Sequence, residues 1–338
     1  MNRVVLIRVG LGALAIVLVG GGLLSLPYFL QQSVELEQKK AVSTLPEQFP
    51  VTVNPQEKRI VESPQVNELF GSPKSSLQAA AGNLSDVIGG IFTWLATTIA
   101  DAPWYQALAS SNGRFVVIKP GMRKEQVAGA FAAVLGWNAS QKKEFLTPTT
   151  YSSLPLAEGS FSPGTYLVGK DTTPLAAQTL VNQRFSDDIL AHYGTTTAAV
   201  VPLQDALTIA SLIEREAGGA EDMRYISGII WNRLFINMSL QIDATVQYVK
   251  ASTPAASRWW PVVLPADLSR QSAYNTYLHK GLPPTPIASP SVASVLAALN
   301  PKNTTCLFYF HDSSGRFHCT DTYAEHMALI KKYYGHGN

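Results

Sequence analysis

The sequence predicts a mixed α+β protein in which helices and strands fall in separate blocks rather than alternating. Three observations carry this. Residues 174–191, 203–217, 221–235, 243–251, 290–299 and 321–334 repeat apolar side chains at helical spacing. Strand signals outside that block sit beside turn residues: FVVIKPGMRKEQVAGAFAAVLGW (115–137) reads as strand, Pro-Gly turn and helix, SFSPGTYLV (160–168) as a short strand, and CLFYFHDSSGRFHC (306–319) as a hairpin around Asp-Ser-Ser-Gly. The chain has 338 residues, 46% hydrophobic and only 15% charged, enough for one to three domains with a sizeable core.

In chain order, residues 9–30, VGLGALAIVLVGGGLLSLPYFL, form an uncharged run long enough for a helix to cross a bilayer. The run exceeds the apolar core of a signal peptide and no small-x-small site ends it, so it is read as a retained single-pass anchor. Arg3 and Arg8 precede it and Glu35 and Glu37 follow, which keeps the N-terminus cytoplasmic and sends the rest across the inner membrane into the periplasm. Residues 31–76 are rich in Gln, Glu, Ser and Pro, with only short β-like runs such as FPVTV, and read as a stalk or a loosely built leader. Residues 84–100 place Ile88, Ile91, Phe92, Leu95 and Ile99 at helical spacing and read as an amphipathic helix. The expected organisation is therefore 1–30 anchor, 31–110 stalk and divergent region, 111–150 small α+β module, and 151–338 a mixed α+β domain ending in the hairpin and last helix.

Charge excludes a nucleic-acid reader. The formal net charge is +2, and because Arg3 and Arg8 lie in the N-terminal segment, residues 31–338 carry 24 charges of each sign. The six histidines lack zinc spacing, no phosphate loop or nucleophile-elbow motif is present, and neither metal nor cofactor is expected. Cys306 and Cys319 are the only cysteines. Both are expected on the hairpin's strands, where an oxidising compartment permits a disulfide; with His311 facing Arg316 they are diagonal, somewhat far for a bridge without a bulge or shifted register, and the alternative is two small core residues.

The helix at 203–217 is where charge and apolar periodicity conflict. Winding it puts Ala206, Ile209, Ala210, Ile213 and Ala217 toward the core and Thr208, Ser211 and Arg215 on an opposite, polar side. Glu214 and Glu216 fall on the two margins of the apolar arc, roughly 160° apart, so they cannot face one sugar together. A carboxyl held against apolar neighbours keeps its proton to higher pH and can act as a general acid. Either glutamate suits that part, and either could instead be a helix-edge charge paired with Arg215, Arg224 or Arg233.

The strings LTIASLIEREAG, IIWNRLFINMSLQIDATVQYV, AYNTYLHKGLPPTPIASPSVASVLAALNP and LFYFHDSSGRFHCTDTYAEHMALIKKY resemble, in order and spacing, the catalytic domain of the endolytic murein transglycosylases, the MltG or YceG-like family. The resemblance implies that the first glutamate of A-S-x-x-E-x-E, here Glu214, is the catalytic acid/base, with Glu216 supporting it. It also brings Gln241, Asp243 and Thr245 of L-Q-x-D-x-T-V, and Tyr274, Asn275 and Tyr277 of Y-N-T-Y, to the substrate. Asp243 reads equally well as a helix N-cap, and Asn275 as a residue that fixes the following turn. The chain departs from the family pattern at Ile242, Ala244, Ala273 and Ser289, and Gly164 stands where F-P-D-T-Y has its acidic residue. A LysM-like module precedes the catalytic domain in the family, and here its KPGM-helix half is recognisable within 111–150.

The expected partners are peptidoglycan glycan strands and the membrane, with a peptidoglycan synthase as a candidate docking on the 84–100 helix. Ordinary glycosidases use two carboxylates. A lytic transglycosylase needs one, because the sugar's own C6 hydroxyl displaces the leaving group and closes a 1,6-anhydro ring. The contrasting reading is an anchored, non-catalytic glycan-binding or cell-wall assembly protein.

Overall fold

A computed structural model of the chain describes residues 45–71, 113–147, 157–253 and 258–335, with the single positions 32, 36 and 43. The expected anchor at 9–30 and amphipathic helix at 84–100 lie outside the described residues. Among the described residues no helix is long and apolar enough to cross a membrane.

The first described segment carries short pieces of regular structure. Strands β1 (Val53–Asn54) and β2 (Arg59–Ile60) form a minimal antiparallel pair, followed by helix α1 (Pro64–Gly71). Phe49 and Val53 are each 2% exposed and belong to the larger core. The backbone is tied down on both sides, Phe49 N–H donating to the His192 carbonyl at 2.8 Å and Thr52 N–H to that of Leu299 at 3.0 Å. Composition suggested a stalk because the apolar residues are few; they are enough here because each reaches the core of the folded domain.

A small lobe follows. Strand β3 (Arg114–Ile118) leads through the Pro120-Gly121 turn into α2 (Lys124–Leu135) and α3 (Ala139–Leu146), and β4 (Gly164–Val168) returns antiparallel to β3 with Val116 opposite Tyr166. The expected boundary at residue 150 thus separates two strands that pair. Phe131, Phe145, Phe161, Tyr166 and Trp137 form the lobe's aromatic core, with Phe131 and Phe145 centroids 5.0 Å apart. Helix α4 (Pro174–Phe185) closes it with Ala177 and Val181. The buried Gln178 amide on α4 donates to the carbonyls of Glu144, Phe145 and Thr147, satisfying the open end of α3.

Beyond a π-helical turn (Ser186–Leu190) and α5 (Thr195–Val200), the larger domain is built around α6 (Leu203–Glu216), packed between α7 (Ala220–Phe235), α8 (Asp243–Ala251) and α9 (Val292–Leu299). Every residue of α6 from Ala206 to Ile213 is buried, so its predicted polar side faces protein rather than water. Thr208 and Ser211 are accommodated because each hydroxyl donates back along the helix, to Gln204 and Thr208 carbonyls, and Ser211 Oγ also accepts from the Ile287 N–H at 3.0 Å.

On α7, Gly228 permits close approach of the chain before the hairpin: a Cβ there would lie 2.4 Å from the Lys302 carbonyl oxygen. Gly228→Ala is expected to destabilise by about 1–3 kcal/mol despite alanine's better helix propensity, because the opposing atom is backbone. Urea unfolding of the variant checks this, and an unchanged midpoint would show that the crossing relaxes freely.

Strands β5 (Phe308–His311) and β6 (Phe317–Thr320) form the predicted hairpin, followed by α10 (Tyr323–Tyr334). Its register pairs His311 with Phe317 and Tyr309 with Cys319, one residue from the arrangement anticipated. Cys306 lies before β5 rather than on it, and with its Cα 5.8 Å from that of Cys319 the disulfide forms.

Candidate functional site

Helix α6 delivers its two glutamates to different places. Glu214 turns toward the start of α9, where its Oε2 accepts from the Ser291 N–H at 3.0 Å and the Ser291 hydroxyl at 2.6 Å. Ser291 is the N-cap of α9, with its hydroxyl accepting from the Ser294 N–H, so Glu214 lies against the positive end of that helix. Glu214 does not line the cavity described next.

Glu216, the last residue of α6, lines a cavity of about 740 Å³ together with Gln241, Asp243, Tyr277, Tyr309 and Arg233. The rest of the lining comes from the hairpin and α10. Tyr309 on β5 donates its hydroxyl to Glu216 Oε2 at 2.9 Å, and Tyr277 donates to Asp243 Oδ1 at 2.6 Å. Each carboxylate is thus oriented by one tyrosine. Asp243 is the first residue of α8, and the N-cap position falls to Ile242, so the N-cap reading of Asp243 does not hold.

Desolvation raises the Glu216 pKa, and the negative charge of Asp243 adds to it. The Tyr309 hydroxyl, the Ala244 N–H at the start of α8 and the Arg215 charge act in the opposite sense. Such a carboxyl keeps its proton longer than an exposed glutamic acid, while donors stand ready for its charged form. The tyrosine hydroxyls resist ionisation: burial and the neighbouring carboxylates push Tyr277 and Tyr309 above the ordinary phenol range.

Arg233 holds the frame of the cavity. Its guanidinium is buried and donates to the carbonyls of Leu307 at 2.7 Å, Ser239 at 3.5 Å and Leu240, joining the root of the hairpin to the loop before α8. In that loop Gln241 adopts φ 51°, a left-handed conformation unusual for a residue with a Cβ, and its N–H donates to the Thr276 carbonyl at 3.1 Å. This turn separates Gln241, on the cavity, from the buried Ile242.

Three of the sequence-predicted binding residues sit behind the cavity rather than on it. Thr245 is fully buried, its hydroxyl bonded to the Ile242 carbonyl at 2.7 Å and to Thr276 Oγ1 at 3.0 Å. Asn275, also fully buried, donates to the Leu268 and Arg270 carbonyls and accepts from the Tyr277 N–H, which fixes the turn carrying Tyr277. Tyr274 bonds Thr285 at 2.8 Å and packs against Tyr248. Thr245 and Asn275 hold the backbone that presents Gln241, Asp243 and Tyr277.

Sequence reasoning missed Arg233, Tyr309 and the aromatic residues of the hairpin as cavity residues, although they stand inside the strings NRL and LFYFH. Nothing in a strand's alternation says which face meets a helix terminus far away in sequence. The hairpin histidines each meet a carboxylate: His311 Nε2 lies 2.9 Å from Asp222 and His318 Nε2 lies 2.8 Å from Asp312. Trp260 packs under Arg215, 4.0 Å from the guanidinium carbon to its ring, while Trp259 remains 41% exposed. Among the described residues no group of three His, Cys, Asp or Glu side chains is placed to hold a metal ion.

The chain is 41% identical over 133 residues to the endolytic murein transglycosylase of Bacillus subtilis strain 168, covering 39% of this chain and 35% of that protein. It is 27% identical over 191 residues to the endolytic murein transglycosylase of Streptococcus pneumoniae strain D39, covering 53% of this chain and 34% of that protein. The matched region thus spans about a third of the length of these curated relatives. A crystal structure of a yceG-like protein from Listeria monocytogenes shares the fold, with TM-score 0.57 and 24% identity over 71% of this chain and 90% of that one. The YceG-like family model matches residues 56–332, from the β-turn before β2 through most of α10, and the chain accordingly belongs to the YceG-like family.

Proposed function

We propose that this chain is a peptidoglycan lytic transglycosylase that cleaves the β-1,4 bond between N-acetylmuramic acid and N-acetylglucosamine within glycan strands, with Glu216 as its acid/base. The observation that carries the reading is the Glu216 carboxyl: it faces the cavity, its pKa is raised by desolvation and by Asp243, and the Tyr309 hydroxyl orients it. Glu214, to which the motif resemblance gave the role, is bonded to Ser291 away from the cavity and does not suit it.

In the protonated form Glu216 donates to the glycosidic oxygen as the bond to the anomeric carbon breaks. The oxocarbenium-like centre that develops is stabilised by the Asp243 carboxylate and the substrate's acetamido group. Glu216, now a carboxylate supported by the Tyr309 hydroxyl and the Ala244 N–H, takes the proton of the C6 hydroxyl as that oxygen bonds to the anomeric carbon. The products are a 1,6-anhydro-muramyl end and a free N-acetylglucosamine 4-hydroxyl, and the enzyme returns with its proton.

Anchoring by residues 9–30 with the catalytic domain in the periplasm, and a LysM-like glycan-holding role for the β3-α2-α3-β4 lobe, belong to the same proposal. The anchor rests on the charge-free run and its basic flank; the lobe rests on the KPGM-helix half of the motif, and a synthase partner on the 84–100 pattern.

Mass spectrometry of purified murein strands digested with the protein tests the mechanism. The expected ends are lighter than reducing ends by one water. A hydrolase would deliver water to the anomeric carbon and needs a second carboxylate as base, for which Asp243 lines the cavity beside Glu216 among the described residues. Reducing ends as the main product would replace the transglycosylase by a hydrolase with Asp243 as base. Under the proposed mechanism, Asp243→Asn slows turnover and leaves the product unchanged.

A further inference from the structure

The proposed chemistry uses Glu216, Asp243 and their tyrosines, yet the cavity is also lined by Phe308 and Phe310 of β5 and by Tyr323 and His326 of α10. These four rings form a connected group. The Phe308 centroid lies 5.7 Å from those of both Tyr323 and His326, and Phe310 lies 5.7 Å from His326. Burial elsewhere does not account for this concentration of aromatic surface, because α10 has no buried residue and Tyr323 is 59% exposed. An aromatic ring left open to a cavity offers a flat apolar face to a ligand.

The His326 imidazole stands among the rings. His326 Nδ1 is shielded from solvent and has no hydrogen-bond partner among the described residues. Burial and the nearby Arg233 cation hold the imidazole below the ordinary histidine range, so it is neutral near pH 7, with one nitrogen able to donate and the other to accept. A buried polar atom without a partner is disfavoured until something bonds to it. Arg233 itself is engaged with backbone carbonyls, and the lining carboxylates disfavour an anion. The ligand that fits is therefore uncharged, with an apolar face and polar edges.

We propose that Phe308, Phe310, Tyr323 and His326 form a sugar-binding subsite that stacks an N-acetylated hexosamine of the glycan on its rings and hydrogen-bonds an amide or hydroxyl group of that residue through His326 Nδ1. The proposal rests on the transglycosylase reading for its ligand, and it assigns to the hairpin and α10 the work of holding the strand while Glu216 acts.

The test separates binding from cleavage. The full chain carrying Glu216→Gln, in detergent micelles, is titrated calorimetrically with peptide-free glycan strands released from murein by an amidase. Tyr323→Ala and His326→Phe, each added to that background, are expected to weaken binding roughly tenfold, the effect of one lost stacking face or one lost hydrogen bond. His326→Gln, which keeps a polar group at the position, should recover part of the loss. Tyr323 is exposed, so its truncation leaves the core intact, and thermal unfolding verifies the fold of every variant. Undiminished affinity in folded Tyr323→Ala and His326→Phe proteins would overturn the subsite and leave the transglycosylase reading standing. If the Glu216→Gln parent itself fails to bind strands, and the wild-type protein releases no anhydro ends from them, the reading falls and the subsite with it.

Discussion

Glu216→Gln is expected to lower strand cleavage by about two to four orders of magnitude, the contribution of positioned proton transfer, with the fold retained. The substitution is nearly isosteric, and its amide oxygen can still accept from Tyr309, whose hydroxyl now meets Glu216 Oε2 at 2.9 Å. What disappears is the proton. Glu214→Ala is expected to behave in the opposite way. It removes the acceptor of two hydrogen bonds from Ser291 and should cost about 1–3 kcal/mol of stability, because a charged acceptor at the start of α9 is lost. Its residual cleavage, measured below its unfolding temperature, should stay within a few-fold of wild type, or about 1 kcal/mol in barrier. Cleavage that survives in Glu216→Gln and vanishes in folded Glu214→Gln would return the acid to Glu214.

The second large effect is on stability against pH. Glu158 is 6% exposed and sits between the lobe and the larger domain: it accepts from the Lys124 N–H at 2.9 Å and from the Tyr248 hydroxyl at 3.5 Å. Burial raises its pKa from 4.5 to about 8, the Glu125 charge adding to this and the Lys124 N–H, Arg123 and Lys124 opposing it. The folded protein therefore binds this proton more tightly than the unfolded chain does. Below pH 4.5 both states hold it and nothing is lost; between pH 4.5 and about 8 the unfolded chain releases it first, so stability falls as pH rises, and the loss is complete above pH 8. Across that interval each pH step of one costs about 1.4 kcal/mol, so the loss reaches at most about 5 kcal/mol. Glu158→Gln keeps an acceptor for Lys124 and should be more stable than wild type at pH 8.5, with the two converging near pH 5. Urea unfolding at both pH values measures this. A wild-type curve that tracks the variant at every pH would show that Glu158 reaches water when it ionises.

Residue periodicity located the helices well because their apolar faces are written locally. The runs at 203–217, 221–235 and 243–251 became α6, α7 and α8 almost residue for residue. Local pattern failed where a short segment depends on a distant one. Residues 45–71 carry few apolar side chains, yet Phe49 and Val53 complete a core assembled from residues beyond 185. Strand β4 likewise has no visible partner until β3 is placed beside it.

From the sequence alone follow the α+β class, the hairpin and the absence of a basic footprint; the same reading singled out the glutamates of α6 and the strings at 240–246 and 274–277, of which Glu216, Gln241, Asp243 and Tyr277 line the cavity. Helical geometry also separates Glu214 from Glu216, since two residues apart on a helix point to nearly opposite sides. Which of the two faces the cavity is decided by tertiary structure. Both lie on margins of the same apolar arc, so the sequence leaves them equivalent; the difference arises when Ser291 arrives at one and Tyr309 at the other, from segments 77 and 93 residues away. The same holds for Thr245 and Asn275, polar residues whose buried bonds are to backbone that only the fold brings near. A side chain's chemistry is set by its neighbours, and for these residues the neighbours are remote along the chain.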